Sequence, residues 1–215
     1  MDWRTATLIG QTGLLAFILT GCGRAPALQT YSLPAVAASP ALLRAAVTLP
    51  GVLIVNRFTA DSVLNSRRIA WRSSPEAFTV GNYAEQQWST APPEQLQARL
   101  VRCLTAAGAA ETVAPDSAPV PADWILSGRL NYFEQQLTGP ADSPGNAQAR
   151  VGAELLLTRV RNGRKPVWQG TIEVTAPLPD AEPARVAEGM PEALGLFCAR
   201  LVQELNLALR SQDRS

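Results

Sequence analysis

The stretch of sequence that decides the fold is residues 123–136, which read DWILSGRLNYFEQQ. Its even-numbered residues from Trp124 to Tyr132 are mostly apolar and share one face, a period-two pattern typical of a strand with one buried side. Residues 147–160 and 166–176 alternate in the same way. Because loops that contain glycine, proline or asparagine separate the three stretches, the pattern predicts an antiparallel meander of three long strands.

The rest of the chain predicts shorter strands and two main helices. Val52–Phe58 is a run of β-branched and apolar residues that suits a buried central strand. A helix is predicted from about Pro93 to Ala107, with Gly108 at its stop, and another from Pro183 or Pro191 to Leu209. We therefore predict one α/β or α+β domain, with a mixed, largely antiparallel sheet covered by two main helices. The minor elements are a strand at 30–33, a helical turn at 62–65, a hairpin of 67–72 with 77–80, an extended segment at 83–89 and a loop at 114–122.

Residues 1–21 have the pattern of an export signal, with Arg4 before an apolar run from Leu8 to Leu19. Leu19, Thr20, Gly21 and Cys22 resemble the lipobox of bacterial lipoproteins, in which the cysteine thiol receives diacylglycerol and the new amino terminus an acyl chain such as palmitate. An ordinary secretory signal is one alternative. A retained anchor is another, although a spanning helix needs about 20 apolar residues. Gly23 after the cysteine favours the outer membrane.

Composition excludes several kinds of chemistry. The chain has no histidine, and Lys165 is its one lysine, so histidine-based triads, histidine metal sites and an ATP-binding P-loop cannot be built. A formal net charge of +1 gives no basic field for nucleic acid. The acidic residues are scattered singly through polar segments. We therefore expect no catalytic residues, no metal site, no nucleic-acid partner and no enzymatic activity.

Two cysteines remain after Cys22, and each lies on the apolar face of a predicted helix. Cys103 follows Leu96 and Leu100, and Cys198 follows Leu194, at helical spacing. In an exported chain this even pair leaves open a disulfide between the two helices, if their packing brings the thiols within bridging distance. The alternative is two buried, unpaired cysteines that act as small apolar residues.

Aromatic and arginine side chains are enriched at the energetic centres of protein interfaces, and one region of this chain contains several. The alternatives are that Trp88 and Tyr83 pack beneath the first helix, and that the arginines at 67, 68 and 72 line a solvated strand edge. The candidate partner-binding residues are Trp71, Arg72, Tyr83 and Trp88.

The order and spacing of several short motifs resemble the ABC-type transport auxiliary lipoprotein components, a family that includes the paraquat-inducible protein C lipoproteins. The resemblance covers nearly the whole mature chain. It differs from the common pattern in an Ala-rich region before Leu49 and in proline-rich loops. The matching motifs are the lipobox ending at Cys22, Tyr31-Ser32-Leu33, Pro50-Gly51 before the strand 52–58, Gln87-Trp88-Ser89 before Pro92-Pro93, the segment 125–130 and the carboxy-terminal helix.

The resemblance implies a lipid-anchored periplasmic domain, with a tether at 22–29 and the folded part at 30–212. It implies an accessory role beside an MCE-domain protein and an ABC permease and ATPase that move phospholipids or other hydrophobic molecules. No cofactor is implied beyond the lipid on Cys22. The alternatives are a structural or assembly lipoprotein of the envelope and a lipid-carrying binding protein, and a homo-oligomer is left open.

Overall fold

The structure, a computed structural model, describes residues 27–34, 44–74, 80–139, 146–161 and 163–212. The predicted export signal lies outside these residues. Within them the chain forms a sheet-rich mixed α/β domain. Its strands are β1 (Gln29–Tyr31), β2 (Leu49–Val55), β3 (Thr59–Ala60), β4 (Arg68–Arg72), β5 (Val80–Trp88), β6 (Ala110–Pro115), β7 (Trp124–Leu137), β8 (Ala147–Arg159) and β9 (Lys165–Leu178), and its helices are α1 (Ser62–Asn65), α2 (Pro92–Ala107) and α3 (Pro183–Gln212).

Strand β7 organises the sheet. Along one edge it pairs antiparallel with β8, which pairs antiparallel with β9, so the predicted meander is confirmed. Along the other edge it pairs in parallel with β2, β3 and β4 in turn. Strand β6 adds to β2 in parallel, while β5 adds to β4 antiparallel and β1 to β5 in parallel. The predicted fold class, one domain with a mixed sheet and covering helices, is confirmed.

A bulge in β7 makes the alternation of its side chains differ from the predicted one. The pairing of β7 with β8 shifts register between Leu130 and Tyr132. Phe133 is therefore turned into the core, where it is fully buried, and Tyr132 is left half-buried on the other face. Trp88 packs edge-on against Phe133, with ring centroids 5.5 Å apart. Because of the bulge, Phe133 points into the core at the place where the sequence predicted Tyr132.

Helices α2 and α3 cover the inner face of the sheet, as predicted. Helix α2 starts with Pro92 and Pro93 in its first turn, where a missing N–H leaves no hydrogen bond unmade. It stops at Gly108, whose φ of +67° belongs to the left-handed region that favours glycine. Helix α3 runs from Pro183 through Pro191 without ending. Among the described helices, none combines the length and the apolar character needed to cross a membrane.

Several strands differ from the prediction: β2 ends at Val55 and not at Phe58, the short strand β3 was not predicted, and β6 and β5 differ further. Strand β6 overlaps the start of the predicted loop 114–122, and its burial pattern shows no alternation because Glu111 and Thr112 are both exposed. It is extended because it pairs with β2, so its partner decides the conformation. Strand β5 is one continuous strand, whereas the sequence predicted separate pieces at 77–80 and 83–89; residues 75–79 lie outside the described part.

Candidate partner-binding site

The four predicted partner-binding residues do not form one surface. Trp88 is fully buried in the core, where it packs against Phe133, so it lies in the interior and not on a partner-binding surface. Trp71 and Arg72 are neighbours in β4, and successive strand residues point to opposite faces of a sheet. Trp71 and Tyr83 therefore lie together on one face, and Arg72 lies on the other.

Trp71 and Tyr83 belong to what we call the aromatic cluster, which also contains Gly81 and Gln135. The two rings are half-buried, with centroids 6.3 Å apart. A Cβ at Gly81 would lie 2.5 Å from the Trp71 ring, so glycine provides the space for the indole. The Tyr83 hydroxyl donates a hydrogen bond to Gln135 Oε1, and Gln135 Nε2 donates to the carbonyl of Ala181 at 3.1 Å. The cluster is a partly exposed aromatic surface held by an amide, and its role in partner binding stays a prediction.

The hydroxyl of Tyr83 keeps its proton and so remains a hydrogen-bond donor to Gln135. Burial raises its pKa to about 12 from an ordinary value of 10, because removal from water disfavours the phenolate. Tyr83 therefore stays protonated through the physiological range and keeps donating to Gln135.

Arg72 belongs instead to an arginine–glutamate network on the opposite face of the sheet. Its Nε lies 2.8 Å from Glu134 Oε1, which Arg150 Nη1 approaches at 3.6 Å. Arg150 also reaches Glu173, at 2.7 Å. The guanidinium carbon of Arg150 lies 3.5 Å from the centre of the Tyr132 ring. Two arginines balance two glutamates, as buried charges require.

The network corrects one interpretation of the basic residues near position 70. Strand β4 lies between β5 and β7, so Arg72 is not on a strand edge, and its side chain is only 15% exposed. Arg67 and Arg68 direct guanidinium groups to the carbonyl oxygens of Ser89 and Ala84. The explanation by a solvated edge is therefore wrong for Arg72.

The acidic and amide members of these two clusters were not predicted from the sequence. Glu134, Gln135 and Gln136 are consecutive and are all at most 3% exposed. Three polar residues in a row interrupt the apolar alternation of β7, and this interruption was the available signal. Arg150 in β8 carried no such signal, because its partners lie on other strands.

Cys103 of α2 and Cys198 of α3 are close enough for their thiols to form a hydrogen bond. The two helices therefore pack side by side at these residues, as a disulfide would require. Both cysteines are fully buried, and both are free thiols in the structure, so the bond stays a prediction. A hydrogen bond with Cys198, together with burial, raises the pKa of the Cys103 thiol, and nearby Arg99 opposes this in part. A thiol that stays protonated is a poor nucleophile, since the thiolate is the reactive form.

Other predicted features fall outside this site. Leu19, Thr20, Gly21 and the lipidation site Cys22 lie outside the described residues. Within the described part of the chain, no group of three or more acidic or cysteine side chains is placed to hold a metal ion.

The described residues form a single mixed α/β domain with a half-buried aromatic cluster on one face of its sheet. A family model described as "ABC-type transport auxiliary lipoprotein component" matches residues 31–202, and the chain belongs to this family. The resemblance seen in the sequence is thereby confirmed. Membership makes the protein an auxiliary lipoprotein of an ABC transport system, which belongs to the cell envelope.

Solved structures support the fold. A protein from Xanthomonas campestris, assigned to family DUF330, superposes with a TM-score of 0.70 at 21% identity, covering 87% of this chain and 99% of the other. A second, described only as uncharacterised, has a TM-score of 0.61 at 14% identity and covers 83% of this chain and 99% of its own. At these identities the likeness concerns the fold alone. No curated protein matches the chain significantly.

Proposed function

We propose that this protein is a membrane-anchored accessory lipoprotein of an MCE-type ABC transport system that moves phospholipids or other hydrophobic molecules across the envelope. It binds an MCE-domain protein and the permease and ATPase, and it acts by binding rather than by catalysis. The observation that carries the proposal is the family match over residues 31–202.

A role without catalysis agrees with the chemistry of the chain. It contains no histidine, and Cys103 is fully buried, out of reach of a substrate. Glu134 and Glu173 are both paired with arginines. The aromatic cluster offers the kind of surface on which protein partners dock, because indole and phenol rings combine apolar area with a polar group.

Lipidation at Cys22 supplies the anchor in this proposal. Each buried methylene contributes about 0.8 kcal/mol, and stable attachment takes more than one chain. Diacylglycerol plus an N-linked acyl chain meets that requirement. The seven residues 22–28 span at most about 25 Å when fully extended, so β1 stays close to the membrane. Gly23 favours the outer membrane as the site of attachment.

The proposal is tested by affinity purification of the full-length lipidated protein from crosslinked membranes. We expect the MCE-domain protein and the permease to be recovered with it. Trp71→Ala should lower their recovery by about tenfold or more, since an interface centre contributes at least about 2 kcal/mol. Trp168→Ala is the matched control, because Trp168 is also half-buried but lies on β9.

One outcome would count against the proposed role, and another against the aromatic cluster as its contact surface. Recovery of envelope assembly proteins with no transporter component would favour the structural lipoprotein instead. Equal recovery with Trp71→Ala and Trp168→Ala would place the partner contact away from the aromatic cluster.

A further inference from the structure

Strand β9 forms a long free edge of the sheet. It pairs with β8 along one side, and no described strand pairs with its other side. It has 14 residues, whereas β1 and β6, which end the other branches of the sheet, have three and six. Such an edge presents a row of backbone N–H and C=O groups with which a further strand can pair.

Most of this edge lacks the residues that keep strands apart. Proteins protect a free edge with lysine and proline, and here these stand only near the ends of β9, as Lys165, Pro166 and Pro177. Residues 168–176 between them contain no proline. Their one charged residue, Glu173, is paired with an arginine of β8. The middle of the edge is therefore open to pairing.

The start of β9 is basic. Arg159, Arg161, Arg164 and Lys165 lie in or beside the turn that joins β8 to β9. Asp123 neutralises one of them through its ion pair with Arg161. Arg164 and Lys165 are fully exposed to solvent at the first position of the strand and just before it. This end of the edge therefore carries a net positive charge.

The segment that follows the end of β9 is acidic. It contains Asp180, Glu182 and Glu188, with Arg185 as its one basic residue. Arg185 pairs with both Asp180 and Glu188, at 3.1 and 2.9 Å. Glu182 is exposed, and no ion pair to it is formed within the described part of the chain. A strand that is basic at its start and acidic at its end is complementary to a second copy of itself when the two run antiparallel.

We propose that β9 pairs antiparallel with β9 of a second copy of this chain, which joins the two sheets into one. A twofold axis relates the copies, so the basic start of each strand faces the acidic end of the other. A register centred on Ile172 places Thr171 opposite Glu173 of the second copy. A register centred on Glu173 would instead set two carboxylates against each other, which is unfavourable. In the first register, Lys165 lies near Glu182 of the second copy.

A second copy fits this edge better than an extended segment of another protein. Such a segment would need to be acidic at one end and basic at the other, and this chain already provides both charges in the right order. The pairing involves neither the aromatic cluster nor Cys22. It is therefore tested separately from the proposed function.

Zero-length crosslinking tests which residues face each other. A carbodiimide joins an amine to a carboxylate in contact with it, and Lys165 is the one lysine of the chain. Lys165 and Leu178 are the two ends of β9, about 40 Å apart, so a bond from Lys165 to Asp180 or Glu182 joins two copies. We expect mass spectrometry to find this bond in the full-length lipidated protein in non-ionic detergent. Lys165→Arg keeps the charge and should lose the crosslink while the protein stays dimeric.

Charge reversal tests the antiparallel direction. Lys165→Glu sets like charges against Glu182 of the second copy, and Glu182→Lys sets like charges against Lys165. Each variant alone should raise the dissociation constant of the dimer at least about tenfold. An equimolar mixture should dimerise to within about threefold of the parent, because each reversed residue then faces an opposite charge. Sedimentation equilibrium in density-matched detergent measures these constants.

Matched controls reverse exposed charges away from this edge. Arg210→Glu lies in the last turn of α3, and Glu85→Lys lies on β5. Both should dimerise as the parent does. All four reversed residues are exposed, so each variant should also keep the urea midpoint of the parent.

Three results would overturn the inference. The first is a parent protein that sediments as a monomer at about 0.1 mM, since a weaker affinity gives no stable dimer. The second is a parent that dimerises while the mixture of Lys165→Glu and Glu182→Lys does not, which would place the contact elsewhere. The third is crosslinking of Lys165 in membranes to another protein and not to a second copy, which would assign the edge to a different partner. Recovery of transporter components would judge the proposed function independently in each case.

Discussion

At the scale of single residues, Tyr83 shows how a half-buried polar group is fixed in one protonation state. Its pKa of about 12 exceeds the ordinary value of 10, so the unfolded chain loses this proton first as pH rises. The contribution to stability is fully present below pH 10 and is lost as pH rises toward 12. Tyr83 therefore weakens the fold only under alkaline conditions.

We expect one tyrosine of the folded protein to ionise near pH 12. The absorbance of tyrosinate near 295 nm measures this step. Tyr83→Phe should remove that step and leave the remainder of the titration curve unchanged. A Tyr83→Phe curve that instead lacked a step near pH 10 would contradict the assignment.

Glu134 is the residue on which the arginine–glutamate network depends. It is 1% exposed and faces both Arg72 and Arg150. Glu134→Gln removes the negative charge and leaves two arginines inadequately balanced, so we expect a loss of about 3 kcal/mol in the free energy of unfolding, measured in urea. Asp61→Asn is the control, because its pair with Arg129 is exposed and should change stability by less than about 1 kcal/mol. Comparable losses in the two variants would show that the buried network contributes no more to the free energy of unfolding than the exposed pair does.

At the scale of elements, the contact between α2 and α3 contains the two buried thiols. We expect Cys103 and Cys198 to be bonded in protein exported to an oxidising compartment, so that the denatured mature protein shows no free thiol until reductant is added. Reduction should then lower stability by about 3–5 kcal/mol, as expected for a loop of this length. A variant with both cysteines changed to alanine should not respond to reductant. Two free thiols in unreduced protein would contradict the disulfide and support two small buried apolar residues.

Elements whose signals are local were predictable from the sequence. Helix α2 has prolines in its first turn, apolar residues at helical spacing and Gly108 at its end, all within the helix itself. Strands β8 and β9 show their own alternation. Strand β6 does not, because it is extended through pairing with β2, more than 50 residues earlier in the chain. The parallel pairings along β7 were unpredictable for the same reason.

The candidate partner-binding site was likewise predictable only where the signal was local in the sequence. The residue types at Trp71 and Tyr83 indicated an interface, but their separation from Arg72 depends on which face each strand position occupies. Trp88 is of the same type and is buried, since a large aromatic residue serves a core and an interface equally well. Arg150 and Glu173 could not be linked from the sequence, because only the register of β8 with β9 brings them together.

At the scale of the whole molecule, the predicted lipidation site and the folded domain occupy separate parts of the chain. Cys22 precedes the described domain, so Cys22→Ser should release the protein from membranes without changing its urea midpoint. Cell fractionation measures the release from membranes. The mass of the acyl chains is confirmed on the parent protein. Thr20→Ser keeps a small residue in the lipobox and should remain membrane-bound. Full membrane recovery of Cys22→Ser would contradict lipidation as the means of attachment.

The arrangement of β7 also has a consequence for how the chain acquires its structure. Strands β2, β3 and β4 all pair with β7, which is complete only at residue 137. Pairings between such distant segments form slowly, and unpaired strand edges invite association with other chains. As the chain emerges from its amino terminus, the amino-terminal half thus precedes the strand that completes its sheet. Until residue 137 has emerged, the edges of β2, β3 and β4 that pair with β7 stay open to association with other chains.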